Sequence, residues 1–232
     1  MRALPLQRGA AIGLLILALS ATPARATLID NLDGTVLDDV SGLVWTKNAN
    51  LAASNTFGVG GIAATGRMTW DTAQAWIAAM NAANYLGFND WRLHTITDTG
   101  APGCDFAFTG TDCGYNVDLG TGELADLWYR ALGNIPYYDT SGNGPQAGWG
   151  LTNTGPFDNM QSDYYWSGTE YAPSTVNAWT FHTDRGYQDL NLKTNLFYGW
   201  AVRTGNAGVP LPGTALLLGL GLLGLTARRR LA

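Results

Sequence analysis

The sequence predicts an α+β domain: two helices packed on a small twisted antiparallel sheet, with long loops. Three observations predict it. A hairpin pattern opens the domain, two apolar stripes at helical spacing occupy its middle, and a run of alternating strands divided by short turns closes it. Nine Trp and ten Tyr are many for this length and favour a β-rich body packed with aromatic rings.

The elements follow in order. Residues 35–46 form the hairpin, with Thr35-Val36-Leu37 and Leu43-Val44-Trp45 as strands and Ser41-Gly42 at the turn. Residues 69–82 form the first helix. Thr69 is its N-cap, Asp71 sits well in the first turn, and Trp70, Ala73, Ile77 and Met80 share one face. Residues 97–120 are rich in Thr, Gly and Asp and read as loop. The second helix runs from about Gly122 to Leu132, with Leu124, Leu127, Trp128 and Ala131 as its stripe and Gly133 ending it. Residues 133–162 are again loop. Four strands follow at Tyr164–Gly168, Asn177–Thr183, Tyr187–Lys193 and Phe197–Arg203, with Trp179 and Phe181 on one face of theirs and His182 on the other.

Both ends of the chain carry sorting patterns. Arg2 and Arg8 precede an apolar run over residues 10–19, and Ala24-Arg25-Ala26 places small residues where a signal peptidase reads them. Residues 1–26 are therefore expected to be a signal peptide, leaving Thr27 as the first mature residue and 27–208 as the working domain. At the other end, Val209-Pro210-Leu211-Pro212 leads into a charge-free apolar run and then Arg228, Arg229 and Arg230. The arginines should stay on the cytoplasmic side of a transiently inserted transmembrane helix. This layout resembles the PEP-CTERM sorting signal of Gram-negative bacteria, although Leu211 stands where the motif usually has Glu. The resemblance implies exosortase processing of residues 209–232 and export to the cell surface or extracellular biofilm matrix.

Charge narrows the partners. Of thirteen basic residues, Arg2, Arg8, Arg25, Arg228, Arg229 and Arg230 lie in the two ends, whereas all eighteen carboxylates lie between them. The mature domain thus carries seven basic against eighteen acidic residues, a net charge of −11. Such a surface repels phosphate backbones, which excludes nucleic acid and favours neutral sugars or divalent cations. Cys104 and Cys113 are the two cysteines, and in an oxidising compartment they are expected to close a small disulfide loop worth about 2 to 3 kcal/mol.

Four stretches taken together carry a family resemblance. They are Asp33-Gly34-Thr35-Val36 with Ser41-Gly42-Leu43-Val44-Trp45; Thr69-Trp70-Asp71 with Ala73; Asp90-Trp91-Arg92-Leu93; and Tyr165-Trp166-Ser167-Gly168-Thr169-Glu170 with Trp200-Ala201-Val202-Arg203. In this order, over residues 30–204, the chain resembles the C-terminal domain of the collagen-like adhesin Lcl. The resemblance implies a C-type-lectin-like fold and an association with glycan binding. The chain departs from the family pattern in two ways. His94 stands where the family has Pro, and Glu123-Leu124 comes about thirty residues late, so residues 97–120 read as an insertion. Fold analogy does not choose a function.

The candidate chemistry is sparse. With His94 and His182 as the two histidines, and neither in a nucleophile motif or a metal-ligand cluster, no catalytic residues are assigned. Trp91, Arg92 and Arg203 read either as a ligand clamp or, more simply, as a fold signature with Arg92 paired to a carboxylate. Asp139, Ser141 and Asn143, followed by Gly144, match the opening of a calcium loop, but Gly150 stands where the closing Glu belongs, and a Gly-Asn turn explains the loop equally. Calcium is the one candidate cofactor, and the C-type lectin sugar triplets Glu-Pro-Asn and Trp-Asn-Asp are absent. Tyr137, Tyr138, Trp149, Phe157 and Tyr164, with Asn143, Asn153, Asp158 and Asn159 as acceptors, lie in or beside long polar loops and suit a glycan platform; the alternative is that the rings pin the loops to the body. The expectation is a non-catalytic binding or matrix protein that recognises polysaccharide. The rivals are an enzyme acting on cell-surface material and a purely structural matrix protein.

Overall fold

A computed structural model describes residues 27–99 and 106–205. The expected signal peptide, the sorting tail and Cys104 lie outside the described residues. Among the described residues no helix is long and apolar enough to cross a membrane.

The domain is α+β, with two helices and two antiparallel sheets rather than the single sheet expected. The first sheet has the order β1 (Leu28–Asp30), β2 (Thr35–Asp38), β3 (Leu43–Thr46), β9 (Ala201–Thr204) and β4 (Arg92–Leu93). The second has the order β5 (Gly114–Tyr115), β8 (Tyr187–Leu192), β7 (Asn177–His182) and β6 (Tyr164–Glu170). The expected hairpin is β2–β3, with Val36 opposite Trp45 and Leu37 opposite Val44. Gly42 adopts φ +70° at its turn and donates to Asp38 O at 2.9 Å.

The late meander holds for β6, β7 and β8 only. The chain then leaves the sheet. Phe197 and Tyr198 make isolated bridges to Met68 and Tyr165, and β9 begins at Ala201, inserted between β3 and β4. The expected strand Phe197–Arg203 is corrected to this bridge-and-crossover path. Alternation alone cannot say which sheet a strand joins. Strands β1, β4 and β5 were not expected, since runs of two or three residues are defined by pairing rather than by pattern.

Helix α1 spans Trp70–Ala82, capped by Thr69, whose side chain accepts from Thr72 N at 3.3 Å. Its buried face is Ala73, Trp76, Ile77 and Met80. Trp70 sits at the edge instead, donating from Nε1 to Ser167 O at 2.8 Å. Helix α2 begins as Glu123–Asp126 and continues as a π-helix over Leu127–Ala131, until Gly133 at φ +70° ends it. Its wider turn buries Leu124, Ala125, Leu127 and Trp128, while Ala131 is only partly buried.

Each helix covers its own core. Under α2, Val36, Trp45 and Val202 from the first sheet, with Trp200 just before β9, meet Tyr165 and Phe181 from the second. Under α1, Trp76, Ile77 and Met80 pack on Trp91, Leu93 and Trp166. A third, smaller cluster joins Ile96, Cys113 and Trp179 beneath the insertion. Cys113 is fully buried there, and no free cysteine occurs among the described residues.

Candidate functional site

The insertion and the 133–162 loop meet on one surface. Asn116, held at φ +50°, joins them: its Nδ2 donates to Phe108 O at 2.9 Å and to Tyr138 O at 3.0 Å. Tyr137 N donates to Arg185 O at 2.9 Å, which ties the loop to the β7–β8 turn. These bonds assemble a row of rings. Trp149 packs edge-on to Tyr137 at 4.8 Å, Tyr137 to Tyr138 at 4.7 Å, and Tyr138 to Phe108 and Tyr115 at 5.3 and 4.9 Å. Tyr115 continues the row to Tyr187 at 5.0 Å, and His182 stacks on Tyr187 at 5.0 Å.

Three of the expected platform residues, Tyr137, Tyr138 and Trp149, are therefore brought together, each half-buried. Phe106 and Phe108 stand beside them at 43% and 38% exposure, and Ile135 at 38%. These were missed, because an insertion rich in Thr and Gly gives no signal of which ring it will expose. Arg185 sits over the Tyr137 ring at 5.4 Å from its centroid. The rings meet edge to face, so they form a stepped surface and not one flat plane.

Asn153 and Asp158 are placed elsewhere, and neither acts as an acceptor for these rings. The Asn153 side chain donates to Leu132 O at 2.6 Å and accepts from Gly155 N at 3.0 Å, pinning its loop to the end of α2. Asp158 is bound through its backbone to Lys47 and Ala49 beside β3. Between them Phe157 is buried against Trp200 at 4.8 Å and belongs to the core.

The Asp139 loop is a turn closed on itself. Asp139 Oδ1 accepts from Ser141 N and Asn143 N, both at 2.8 Å, and Oδ2 accepts from Asn143 Nδ2 at 3.2 Å. The backbone hydrogen bond from Asn143, with the others of the loop, holds this carboxyl below its ordinary range. Both Asp139 oxygens thus accept from N–H groups of their own loop. Among the described residues no group of three or more His, Cys, Asp or Glu side chains could hold a metal ion.

The Trp-Arg-Leu stretch is structural in Trp91 and Arg92. Trp91 is buried and donates to Tyr85 O at 3.0 Å; Arg92 forms a bidentate pair with Glu123 at 2.6 and 2.7 Å. Burial raises the Glu123 carboxyl, but Arg92 and the Thr95 N–H outweigh it and keep the group ionised. His94 is fully buried, with no hydrogen bond to either ring nitrogen, and burial pushes its pKa down to about 4. His182 is wedged between Tyr164 and Tyr187, and its Nδ1 accepts from Arg185 N at 3.3 Å. Clefts open at the surface among the described residues. One, of about 110 Å³, lies beside Thr95, Thr121 and Glu123; another, of about 270 Å³, lies beside Thr35, Phe88 and Arg203.

The hairpin, α1 and the Trp-Arg-Leu strand, in this order and pairing, form one unit at the start of the domain. Residues 34–100 match the Lcl C-terminal domain. No curated protein and no solved structure matches the chain. The Lcl-type segment comprises β2, β3, α1 and β4, and it ends at residue 100, four residues into the insertion. The aromatic row therefore rests on residues outside the matched segment, which supplies the scaffold and not the exposed rings.

Proposed function

We propose that this is an exported, non-catalytic carbohydrate-binding protein of the cell surface or biofilm matrix, built on a C-type-lectin-like fold. One observation carries the reading: Trp149, Tyr137, Tyr138 and Phe108 form a continuous, partly exposed aromatic surface on loops. Aromatic side chains present large apolar faces at low conformational cost, and a sugar ring offers matching C–H faces. The strongly acidic surface favours a neutral polysaccharide over an anionic one. The signal-peptide and PEP-CTERM patterns at the two ends support passage through signal peptidase and exosortase. Binding does not require calcium in this proposal, since the Asp139 loop satisfies its own carboxylate.

A glycan array probed with the oxidised mature protein, with calcium and with chelator, tests this. Selective binding is expected in both lanes, and Trp149→Ala or Tyr138→Ala should remove it. An array empty in both lanes refutes carbohydrate recognition, and binding only with calcium refutes the metal-free mode.

A further inference from the structure

Arg203 lies on the face of the first sheet that is turned away from the main core. The rungs Leu37–Val44–Arg203 point one way, while Val36–Trp45–Val202 point into the core under α2. A side chain on that outer face is ordinarily open to water, yet Arg203 retains only 6% of its surface. Phe88 covers it, with the guanidinium carbon 3.9 Å from the ring centroid, and Asp90 Oδ1 accepts from its Nε at 2.7 Å. Among the described residues, Nε is the one nitrogen of this guanidinium that makes a hydrogen bond. The four Nη hydrogens meet no acceptor among the described residues. They are not among the enclosed, unpartnered polar atoms, so they can meet water or a ligand in the cleft.

Arg203 lines the cleft of about 270 Å³, whose opposite wall is the turn between β1 and β2. There Thr35 Oγ1 donates to Asp33 Oδ1 at 2.6 Å and accepts from Asn31 Nδ2 at 2.8 Å, and Thr35 N also donates to Asp33 Oδ1 at 2.9 Å. This chain of bonds fixes both side chains. It leaves Asp33 Oδ2 and Asn31 Oδ1 as acceptors with no protein donor among the described residues. Donors on one wall thus face acceptors on the other, with Phe88 and Leu37 between them.

A hydroxyl group both donates and accepts, so a polyhydroxyl ring can satisfy both walls at once. A carboxylate only accepts, and it would meet the Asp33 charge after Asp90 has already neutralised Arg203. The volume lies just under the roughly 300 Å³ at which small-molecule sites begin, which limits the occupant to about one ring. We propose that this cleft binds a single neutral sugar residue, with Arg203 Nη donating to its hydroxyls and Asp33 and Asn31 accepting from them. It shares its ligand class with the function proposed above but none of its residues, so either site can exist without the other.

The test is an NMR titration of the mature protein, purified from the cells that export it, with methyl glucoside, galactoside and mannoside and with glucuronate, all in chelator. At least one neutral hexoside is expected to bind, and glucuronate about tenfold more weakly or not at all. Asp33→Asn keeps the Oδ1 cap on Thr35 but replaces the free acceptor with a donor; it should weaken the hexoside about tenfold without changing the melting temperature. Arg203→Lys should do the same, and if that variant fails to fold, Asp33→Asn decides alone. The bound hexoside is expected to shift the resonances of Asp33, Thr35 and Arg203, which are read separately from those of the aromatic loops. The proposal is overturned if no hexoside binds, if glucuronate binds as well as the hexosides, or if folded Asp33→Asn binds like the parent. Hexoside binding lost in Trp149→Ala but kept in Asp33→Asn would overturn the cleft and uphold the aromatic loops.

Discussion

At the scale of single residues, the buried His94 and the half-buried Asp189 pull the acid stability in opposite directions. His94 has its pKa lowered from 6.5 to about 4 by burial. Its neutral form stabilises the fold fully above 6.5, and that contribution is lost as the pH falls toward 4, amounting to about 3 kcal/mol. Asp189 behaves oppositely: burial raises it from 3.8 to about 6, so its contribution is present below 3.8 and lost as the pH rises through 6. The two windows overlap, and the wild-type curve alone would hide both. Denaturant unfolding between pH 4 and 7 should show stability falling with rising pH in His94→Leu and rising with pH in Asp189→Asn. An unchanged slope in His94→Leu would mean that His94 is not neutral in the fold. The histidine stands where the Lcl pattern has proline, and its role here is that of a core side chain.

At the scale of elements, caps and close approaches set the costs. Thr69 accepts one of the otherwise orphaned N–H groups at the start of α1. Thr69→Ala should cost about 1 kcal/mol in chemical denaturation, and Thr69→Ser or Thr69→Asp much less. The β7–β8 turn is tighter still. Gly186 has φ +70°, and a Cβ there would lie 2.5 Å from Cη2 and Cζ3 of the fully buried Trp128 and 3.2 Å from Pro136 Cβ. Gly186→Ala should therefore destabilise by about 2 to 4 kcal/mol, combining left-handed strain with overpacking. Because the same turn anchors Tyr137, the variant should also lower the near-ultraviolet circular dichroism of the aromatic row in native conditions. A loss under 1 kcal/mol would show that Trp128 can move, contrary to its place between α2 and Phe181.

At the scale of the whole molecule, charge and the aromatic row define what the surface can meet. With seven basic against eighteen acidic residues over residues 27–208, released counterions cannot drive binding to a polyanion. The mature protein should show no retention on heparin or DNA columns even at about 50 mM salt, and retention that weakens steeply with salt would contradict the neutral-glycan proposal. The row itself depends on Asn116, whose side chain bonds both the insertion and the Tyr138 loop. The insertion is thus part of the candidate surface and not an appendage to the Lcl-type scaffold.

The sequence by itself determined the α+β class, the β2–β3 hairpin, both helices with the Thr69 cap of the first and the Gly133 end of the second, and the meander of β6 to β8. These are local matters: a capping Thr, a 3.6-residue stripe, a Gly at a positive-φ turn and alternation around a short turn act within a few residues. It also singled out Tyr137, Tyr138 and Trp149 because aromatic side chains in polar loops stand out from their neighbours. Only the tertiary structure decided that β9 crosses back between β3 and β4, that Asn153 and Asp158 serve the scaffold, and that Phe106 and Phe108 join the rings. It alone placed Arg203 opposite Asn31 and Asp33, more than 150 positions away in the chain. Those outcomes depend on which distant backbone groups find partners. Short strands, a bulge in β6 and a side-chain bridge such as Asn116 leave no period in the sequence because each is set by a neighbour that the chain reaches only after folding.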